Sequence, residues 1–189
     1  MSLELITGSM FSGKTLELIR RLRAADADGQ RVSAGKPSLD LDSGWLVSLA
    51  GSRWPAEPLT GCHAIRRVAC RVGVLGVDEV QFLSLTEIRC LEEIAADGIR
   101  VVAAGLDLDF RGAPFPGVER LVATAQSVTW LTATCTRCGA AATHSQRLLD
   151  GRPAPAEAPT ILLGGRELYE PRCAACHELP ARRGRRRRC

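Results

Sequence analysis

Eight consecutive residues near the N-terminus have the types and spacing of a phosphate-binding loop: Gly8-Ser9-Met10-Phe11-Ser12-Gly13-Lys14-Thr15. The glycines permit a tight turn whose backbone N–H groups point at phosphate oxygens beside a helix N-terminus. Lys14 supplies a positive charge for the β- and γ-phosphates, and Thr15 supplies a hydroxyl for Mg²⁺. A flexible glycine-serine turn that happens to carry a lysine is the alternative. The apolar run before the loop and the helical pattern after it favour binding of a nucleoside triphosphate.

A second candidate for chemistry is the acidic pair Asp78-Glu79, which directly follows the apolar run 72–77. A buried parallel strand that ends in acids delivers carboxylates to the carboxyl edge of its sheet. There, Asp78 would meet Mg²⁺ and its water shell, and Glu79 would stand where a base takes a substrate proton. A strand that ends in a solvated acidic turn is the alternative.

Two C-x-x-C pairs form the third signal: Cys135 with Cys138, and Cys173 with Cys176. Four thiolates in two such pairs are typical of a structural zinc site. The 34 residues between the pairs predict that the metal closes the base of a long loop. Unliganded thiols are the alternative, as is haem attachment at Cys173-x-x-Cys176-His177, although a haem site does not need the other pair.

These motifs lie in a pattern of strands alternating with helices, which predicts an α/β fold with a mostly parallel sheet. Strands are predicted at 3–6, 72–77, 99–104 and 128–134. Helices are predicted after the phosphate-binding loop, after a capping box formed by Ser84 and Glu87, and around Val118 and Leu121. Residues 35–62 have poor periodicity and are predicted to form a loop or flap.

Composition indicates a soluble globular chain, because 24% of the 189 residues are charged and no apolar run is long enough to span a bilayer. The N-terminus lacks the pattern of an export signal, so we expect a cytoplasmic protein without a membrane partner. The net charge of +4 depends on an arginine-rich tail in residues 180–189. We predict a disordered, solvated tail; a nucleic-acid-binding arm is the alternative.

Four ordered motifs resemble the cytosolic-type thymidine kinase family, and together they span residues 2 to about 177. They are the loop 8–15, the segment Asp78-Glu79-Val80-Gln81-Phe82, the segment 105–115, and Gly164-Gly165-Arg166-Glu167-Leu168-Tyr169 with the cysteine pairs. The resemblance implies a RecA-like phosphate-loop domain (1–133) and a small zinc-anchored lasso domain (134–179). It further implies transfer of the γ-phosphoryl group of ATP to the 5′-hydroxyl of thymidine, in a homotetramer that does not bind nucleic acid.

The same resemblance assigns roles to individual residues. Glu79 is the expected catalytic base, and Thr15 and Asp78 are the expected magnesium ligands. The residues expected at ATP and its phosphates are Gly8, Ser9, Met10, Phe11, Ser12, Gly13, Lys14, Thr15, Asp78 and Gln81. Those expected at the nucleoside are Met10, Phe82, Leu106, Phe110, Phe115, Ser145, Thr160, Ile161, Leu162, Leu163, Gly164 and Tyr169. For Phe110 and Phe115, an ordinary core position is the alternative.

The chain departs from the family pattern at three positions before residue 50. Gly35 replaces a bulky apolar residue, Asp42 replaces a basic one, and Leu49 stands where a basic residue is usual. A RecA-like ATPase that handles nucleic acid is the competing interpretation, because it would retain the phosphate-binding loop, the acidic pair and the zinc. Such a protein has no evident need for the 110–115 loop or for Gly164-Gly165 with Tyr169.

Overall fold

A computed structural model describes residues 2–38 and 44–179 and shows an α/β fold around a parallel sheet. In chain order the strands are β1 (Leu3–Gly8), β2 (Val32–Pro37), β3 (Trp45–Val47), β4 (Arg53–Pro55), β5 (Glu57–Leu59), β6 (Val74–Val77), β7 (Arg100–Gly105), β8 (Ser127–Leu131), β9 (Ala133–Thr134), β10 (Ala141–Ala142), β11 (His144–Leu149), β12 (Arg152–Pro153) and β13 (Tyr169–Arg172). The helices are α1 (Lys14–Ala27), α2 (Gly61–Ala69), α3 (Leu85–Ala96) and α4 (Pro116–Thr124), with a short 3-10 helix at Val80–Phe82.

Six of these strands form the central sheet in the order β5-β2-β6-β7-β1-β8, with parallel neighbours throughout. Helix α1 and the β3–β4 hairpin cover one face, and α2, α3 and α4 cover the other. Side chains of β1 alternate between these layers: Leu3 and Leu5 pack with α3 and α4, whereas Ile6 packs with α1. A sheet buried on both faces explains why its strands read as apolar runs rather than as alternating patterns.

Two glycines in the sheet are required by close packing. A Cβ atom on Gly76 would lie 2.8 Å from the side chain of Leu22 on α1. On Gly35 it would lie 2.6 Å from the carbonyl oxygen of Glu57, on the neighbouring strand β5. The bulky residue that the family pattern suggests at position 35 therefore does not fit this chain.

Several predicted elements are confirmed, among them β1, α1 and the capping box. The Ser84 hydroxyl accepts a hydrogen bond from the Glu87 N–H at 3.3 Å, and the Ser84 N–H donates to the Glu87 carboxylate at 2.8 Å. The strand predicted over 128–134 is divided, because β8 ends at Leu131 and β9 pairs with β10 in a separate sheet.

The prediction of a loop or flap over 35–62 is wrong at both ends. Strand β5 and the end of β2 belong to the central sheet, and Leu59 is fully buried. These strands are short and contain glycine or proline, so they carry no readable periodicity. Among the described residues of this segment, the β3–β4 hairpin forms a separate two-stranded sheet, and Leu49 in its turn is 73% exposed.

Beyond β8 the chain builds two small antiparallel sheets, β9–β10 and β12-β11-β13. Two hydrogen bonds, each between a side-chain hydroxyl and a backbone group, connect them to the loop 8–15. The Ser9 hydroxyl donates to the Ala142 carbonyl at 3.0 Å, and the Met10 N–H donates to the Ser145 hydroxyl at 2.9 Å. Asp42 and the tail 180–189 lie outside the described residues. None of the helices in the described part of the chain is long and apolar enough to cross a membrane.

Candidate active site

The loop 8–15, called the phosphate loop below, has a backbone that only glycine can adopt at its start. Gly8 has a φ of 140°, and a Cβ atom there would lie 1.9 Å from the carbonyl oxygen of Leu131 on β8. Gly13, with a φ of 90°, immediately precedes α1. The Lys14 ammonium donates a hydrogen bond to the Ser9 carbonyl at 2.7 Å, within the loop. The turn therefore leads directly into a helix N-terminus, as phosphate binding requires.

One polar atom of the phosphate loop is buried without a partner. Within residues 2–38 and 44–179, no group makes a hydrogen bond with the Ser12 hydroxyl oxygen. Desolvation lowers the pKa of Lys14, and the negative charges of Glu79 and Asp78 oppose that shift. A buried hydroxyl and a desolvated ammonium both gain from an anion, so the loop is suited to a phosphate chain.

Asp78 lies at the carboxyl end of β6, where its carboxylate accepts a hydrogen bond from the Thr15 hydroxyl at 2.8 Å. Only 4% of Asp78 is exposed. Burial, and then the charge of Glu79, raises the pKa of the Asp78 carboxyl to about 7. Carboxylate and hydroxyl oxygens are ligands that Mg²⁺ accepts, and a cation would relieve the cost of this buried charge. These two residues therefore fit a magnesium ion.

Glu79 follows with a left-handed backbone, at a φ of 53°. Its N–H donates to the Asp78 carboxylate at 3.0 Å, and its own carboxylate accepts from the Gln81 amide nitrogen. The Gln81 amide oxygen in turn accepts from the Leu106 N–H at 3.0 Å. Backbone strain of this kind persists where surrounding bonds fix it, often at functional sites. The carboxylate of Glu79 is thus fixed beside β7.

A cavity, called the apolar cavity below, lies between the sheet edge and the segment that links β12 to β13. It is lined by Met10, Glu79, Gln81, Phe82, Leu106, Leu108, Asp109, Phe110, Phe115, Arg147, Thr160, Ile161, Leu162, Leu163, Gly164 and Tyr169. Every residue expected at the nucleoside is present except Ser145. Ser145 is buried, and its hydroxyl accepts a hydrogen bond from the N–H of Met10, which does line the cavity.

A second cavity, called the phosphate cavity below, adjoins the first. It is lined by Met10, Phe11, Gly13, Lys14, Thr15, Leu16, Val47, Ser48, Leu49, Ala50, Glu79, Leu106, Gly164, Gly165 and Arg166. Of the residues expected at ATP and its phosphates, this lining includes Met10, Phe11, Gly13, Lys14 and Thr15. It does not include Gly8, Ser9, Ser12 or Asp78, and Gln81 lines the apolar cavity instead. Four residues line both cavities: Met10, Glu79, Leu106 and Gly164. Glu79 therefore stands where a group in one cavity could react with a group in the other.

The segment 154–168, called the lasso loop below, depends on a buried arginine for its shape. Arg147 is 2% exposed and donates hydrogen bonds to the carbonyls of Pro159 and Thr160, the latter at 2.7 Å, and to the Tyr169 hydroxyl at 2.9 and 2.6 Å. The Tyr169 hydroxyl donates onward to the Leu162 carbonyl at 2.7 Å. Arg147 therefore fixes the backbone that lines the apolar cavity.

A second arginine holds the start of the same loop. Arg111 donates to the carbonyls of Ala156 and Ala158, at 2.7 and 2.5 Å, and pairs with Asp109 at 2.7 Å. Both guanidinium groups lie over the Phe110 ring, with that of Arg111 at 4.4 Å and that of Arg147 at 4.1 Å from the ring centre. Sequence reasoning assigned no role to either arginine. Arg111 lies within the 105–115 motif of the family resemblance, which pointed to this region, whereas Arg147 lies outside all four motifs.

The four paired cysteines come together at the base of the lasso domain. The thiols of Cys135, Cys138, Cys173 and Cys176 all lie within 4.8 Å of one another. Burial opposes ionisation of Cys135, but the backbone N–H groups of Cys173, Arg137 and Cys138 lower its pKa to about 6. Four sulfur ligands with a readily formed thiolate fit zinc, which prefers tetrahedral thiolate sites.

We expect protein purified without chelator to contain about one zinc per chain. Cys135→Ser should lower this content and the thermal stability, because structural zinc contributes directly to folding. Cys90→Ser is the matched control, since Cys90 is equally buried, at 2% exposed, but lies outside the cluster. Metal analysis and thermal denaturation measure both effects. Freshly purified, folded protein with far less than one zinc per chain would contradict the assignment.

Comparison with known proteins identifies relatives over nearly the whole chain. The family model described as "Thymidine kinase" matches residues 1–177. A thymidine kinase of Thermococcus kodakarensis is 44% identical over 186 residues, covering 94% of each chain. One of a Roseiflexus species is 47% identical over 182 residues, covering 93% of this chain and 94% of its own. Among solved structures, the replication initiator DnaA bound to AMPPCP and single-stranded DNA matches with a TM-score of 0.44 and 19% identity, over 70% of this chain and 40% of that one. That likeness is too low to bear on function.

Proposed function

The chain belongs to the thymidine kinase family and is an ATP-dependent nucleoside kinase, and from this premise we propose how its own residues act. Thymidine occupies the apolar cavity, the triphosphate of ATP occupies the phosphate cavity, and the 5′-hydroxyl meets the γ-phosphoryl group at Glu79. The observation that carries this proposal is that Glu79 lines both cavities.

Positioning accounts for most of the proposed mechanism, since phosphoryl transfer needs aligned reactants and neutralised charge more than covalent chemistry. The backbone N–H groups of the phosphate loop and the ammonium of Lys14 hold the phosphates. Thr15 and Asp78 would hold Mg²⁺, which supplies charge neutralisation when bound.

Glu79 performs the acid–base step in this proposal by accepting the proton of the 5′-hydroxyl as the oxygen attacks phosphorus. The hydrogen bond from Gln81 and the fixed backbone keep its carboxylate at the junction of the cavities. A positioned carboxylate of this kind contributes roughly 10²–10⁴-fold in general base catalysis. The protein side chains that line the apolar cavity pack around the thymine ring, and the backbone of the lasso loop lies along the edge of the base.

We further propose that zinc fastens the lasso domain at its base and that the enzyme is a cytoplasmic homotetramer. Trp130 supports self-association, since it is 56% exposed on β8, an edge strand of the central sheet. Light scattering coupled to size-exclusion chromatography measures the oligomeric state directly.

A coupled assay of ATP consumption tests the main proposal. Thymidine should stimulate the conversion of ATP to ADP, and one molecule of thymidine monophosphate should form for each molecule of ADP. Single-stranded DNA, added instead, should give no stimulation, whereas a nucleic-acid-handling ATPase would show the reverse. Stimulation by DNA without a phosphorylated nucleoside would overturn the proposed function.

A further inference from the structure

Arg166 lies on the lasso loop and lines the phosphate cavity. It follows the Gly164-Gly165 pair and shares the cavity wall with Lys14 and Thr15. Its guanidinium carbon lies 4.9 Å from the centre of the Phe11 ring, which belongs to the phosphate loop. The lasso loop thus places a cation directly against the loop that binds phosphate.

The charge of Arg166 is not neutralised by a carboxylate within residues 2–38 and 44–179. No ion pair involves it there, and the adjacent acid, Glu167, accepts instead the Gly165 N–H at 2.6 Å. Elsewhere in the lasso domain, Arg137 pairs with Glu178 and Arg172 pairs with Glu170. Arg166 therefore differs from these neighbours in presenting its full charge to a cavity.

We propose that Arg166 contacts the triphosphate of ATP and is a second protein cation, beside Lys14, for the transferring phosphoryl group. A planar guanidinium can bind two phosphate oxygens at once, and it gains most where charge spreads over those oxygens in the transition state. This inference rests on the proposed function, because it places the triphosphate in the phosphate cavity.

The position of Arg166 also connects the two substrates. Gly164, two residues earlier, lines both cavities, so the same short segment contacts the nucleoside on one side and carries the cation on the other. One short segment of the lasso loop therefore contributes both to the proposed nucleoside site and to the proposed phosphate site.

Two substitutions at position 166 test the proposal. Arg166→Met keeps length and apolar contact with Phe11 but removes the charge, and Arg166→Lys keeps the charge but loses the planar fork. The control is Arg152→Met, because Arg152 is exposed on β12 in the same domain and lines neither cavity. The measurements are kcat and KM with thymidine, and the dissociation constant of a non-hydrolysable ATP analogue.

We expect Arg166→Met to lower kcat by about 10²-fold and to weaken analogue binding, with the KM for thymidine changed less than threefold. Arg166→Lys should recover part of both losses, and Arg152→Met should match the unmodified protein. Equal values for Arg166→Met and Arg152→Met would overturn the proposal. Equal losses in Arg166→Met and Arg166→Lys would also overturn it, because a positive charge restored at position 166 would then recover none of the function.

Analogue binding separates this inference from the proposed function. If the unmodified protein fails to phosphorylate thymidine, the proposed function fails, yet a weaker analogue affinity in Arg166→Met would still support a phosphate contact. Unchanged analogue affinity and kcat in an active thymidine kinase would refute the role of Arg166 alone.

Discussion

Glu79→Gln is expected to lower kcat for thymidine phosphorylation by about 10²–10⁴-fold, because it removes the proton acceptor at the junction of the two cavities. Affinity for ATP should change little. Glutamine has the same size, and its amide oxygen can still accept the hydrogen bond from Gln81. Steady-state kinetics with a separate measurement of nucleotide binding distinguish loss of chemistry from loss of binding.

Glu119→Gln is the matched control for this result, since Glu119 undergoes the same chemical change on the exposed side of α4. It should retain full activity. A normal kcat in Glu79→Gln would refute the base assignment, and another group would then have to accept the proton.

Deoxycytidine is expected to be a very poor substrate compared with thymidine, whereas deoxyuridine should lose only about 1–3 kcal/mol of transition-state binding. The lasso loop backbone at Leu163 and Gly164 lines the apolar cavity. If these groups pair with the base edge, cytosine would face them with its donor and acceptor positions exchanged. Mispaired buried polar groups cost far more than a missing methyl contact.

Measured kcat/KM values for thymidine, deoxyuridine and deoxycytidine decide this question, with a purine nucleoside as a test of size exclusion. Deoxycytidine used as well as thymidine would show that the lasso loop does not read the base. The chain would remain a kinase in that case, but other residues would have to determine its selectivity among nucleosides.

The elements that carry local signals could be predicted from the sequence. The phosphate loop lies between a strand and a helix as its glycine spacing predicts, and the capping box at Ser84 starts α3. The two cysteine pairs come within ligand distance of one another. In the phosphate loop, the capping box and each cysteine pair, residues a few positions apart determine the geometry, so the pattern is visible along the chain. The meeting of the two pairs is predicted from the four ligands that zinc needs.

The parts that depend on distant residues could not be predicted. Arg147 contacts lasso loop carbonyls 12 and 13 residues away and the Tyr169 hydroxyl 22 residues away. The residues next to Arg147 in the sequence form no pattern that predicts these contacts. Strand β5 was missed because three residues with a central proline show no periodicity, although pairing with β2 buries Leu59. Tertiary contacts, rather than local propensity, determine these features.

Because Arg147 and Arg111 hold the lasso loop, ionic strength should affect the two substrates differently. Most of their bonds to the loop end on backbone carbonyls rather than on carboxylates, and Arg147 is almost fully buried. Mobile ions screen exposed charges strongly but reach buried charge–dipole contacts poorly. Added salt should therefore weaken the binding of ATP by the exposed Arg166 much more than the recognition of the base. A titration with sodium chloride would raise the KM for ATP while leaving the preference among nucleosides unchanged.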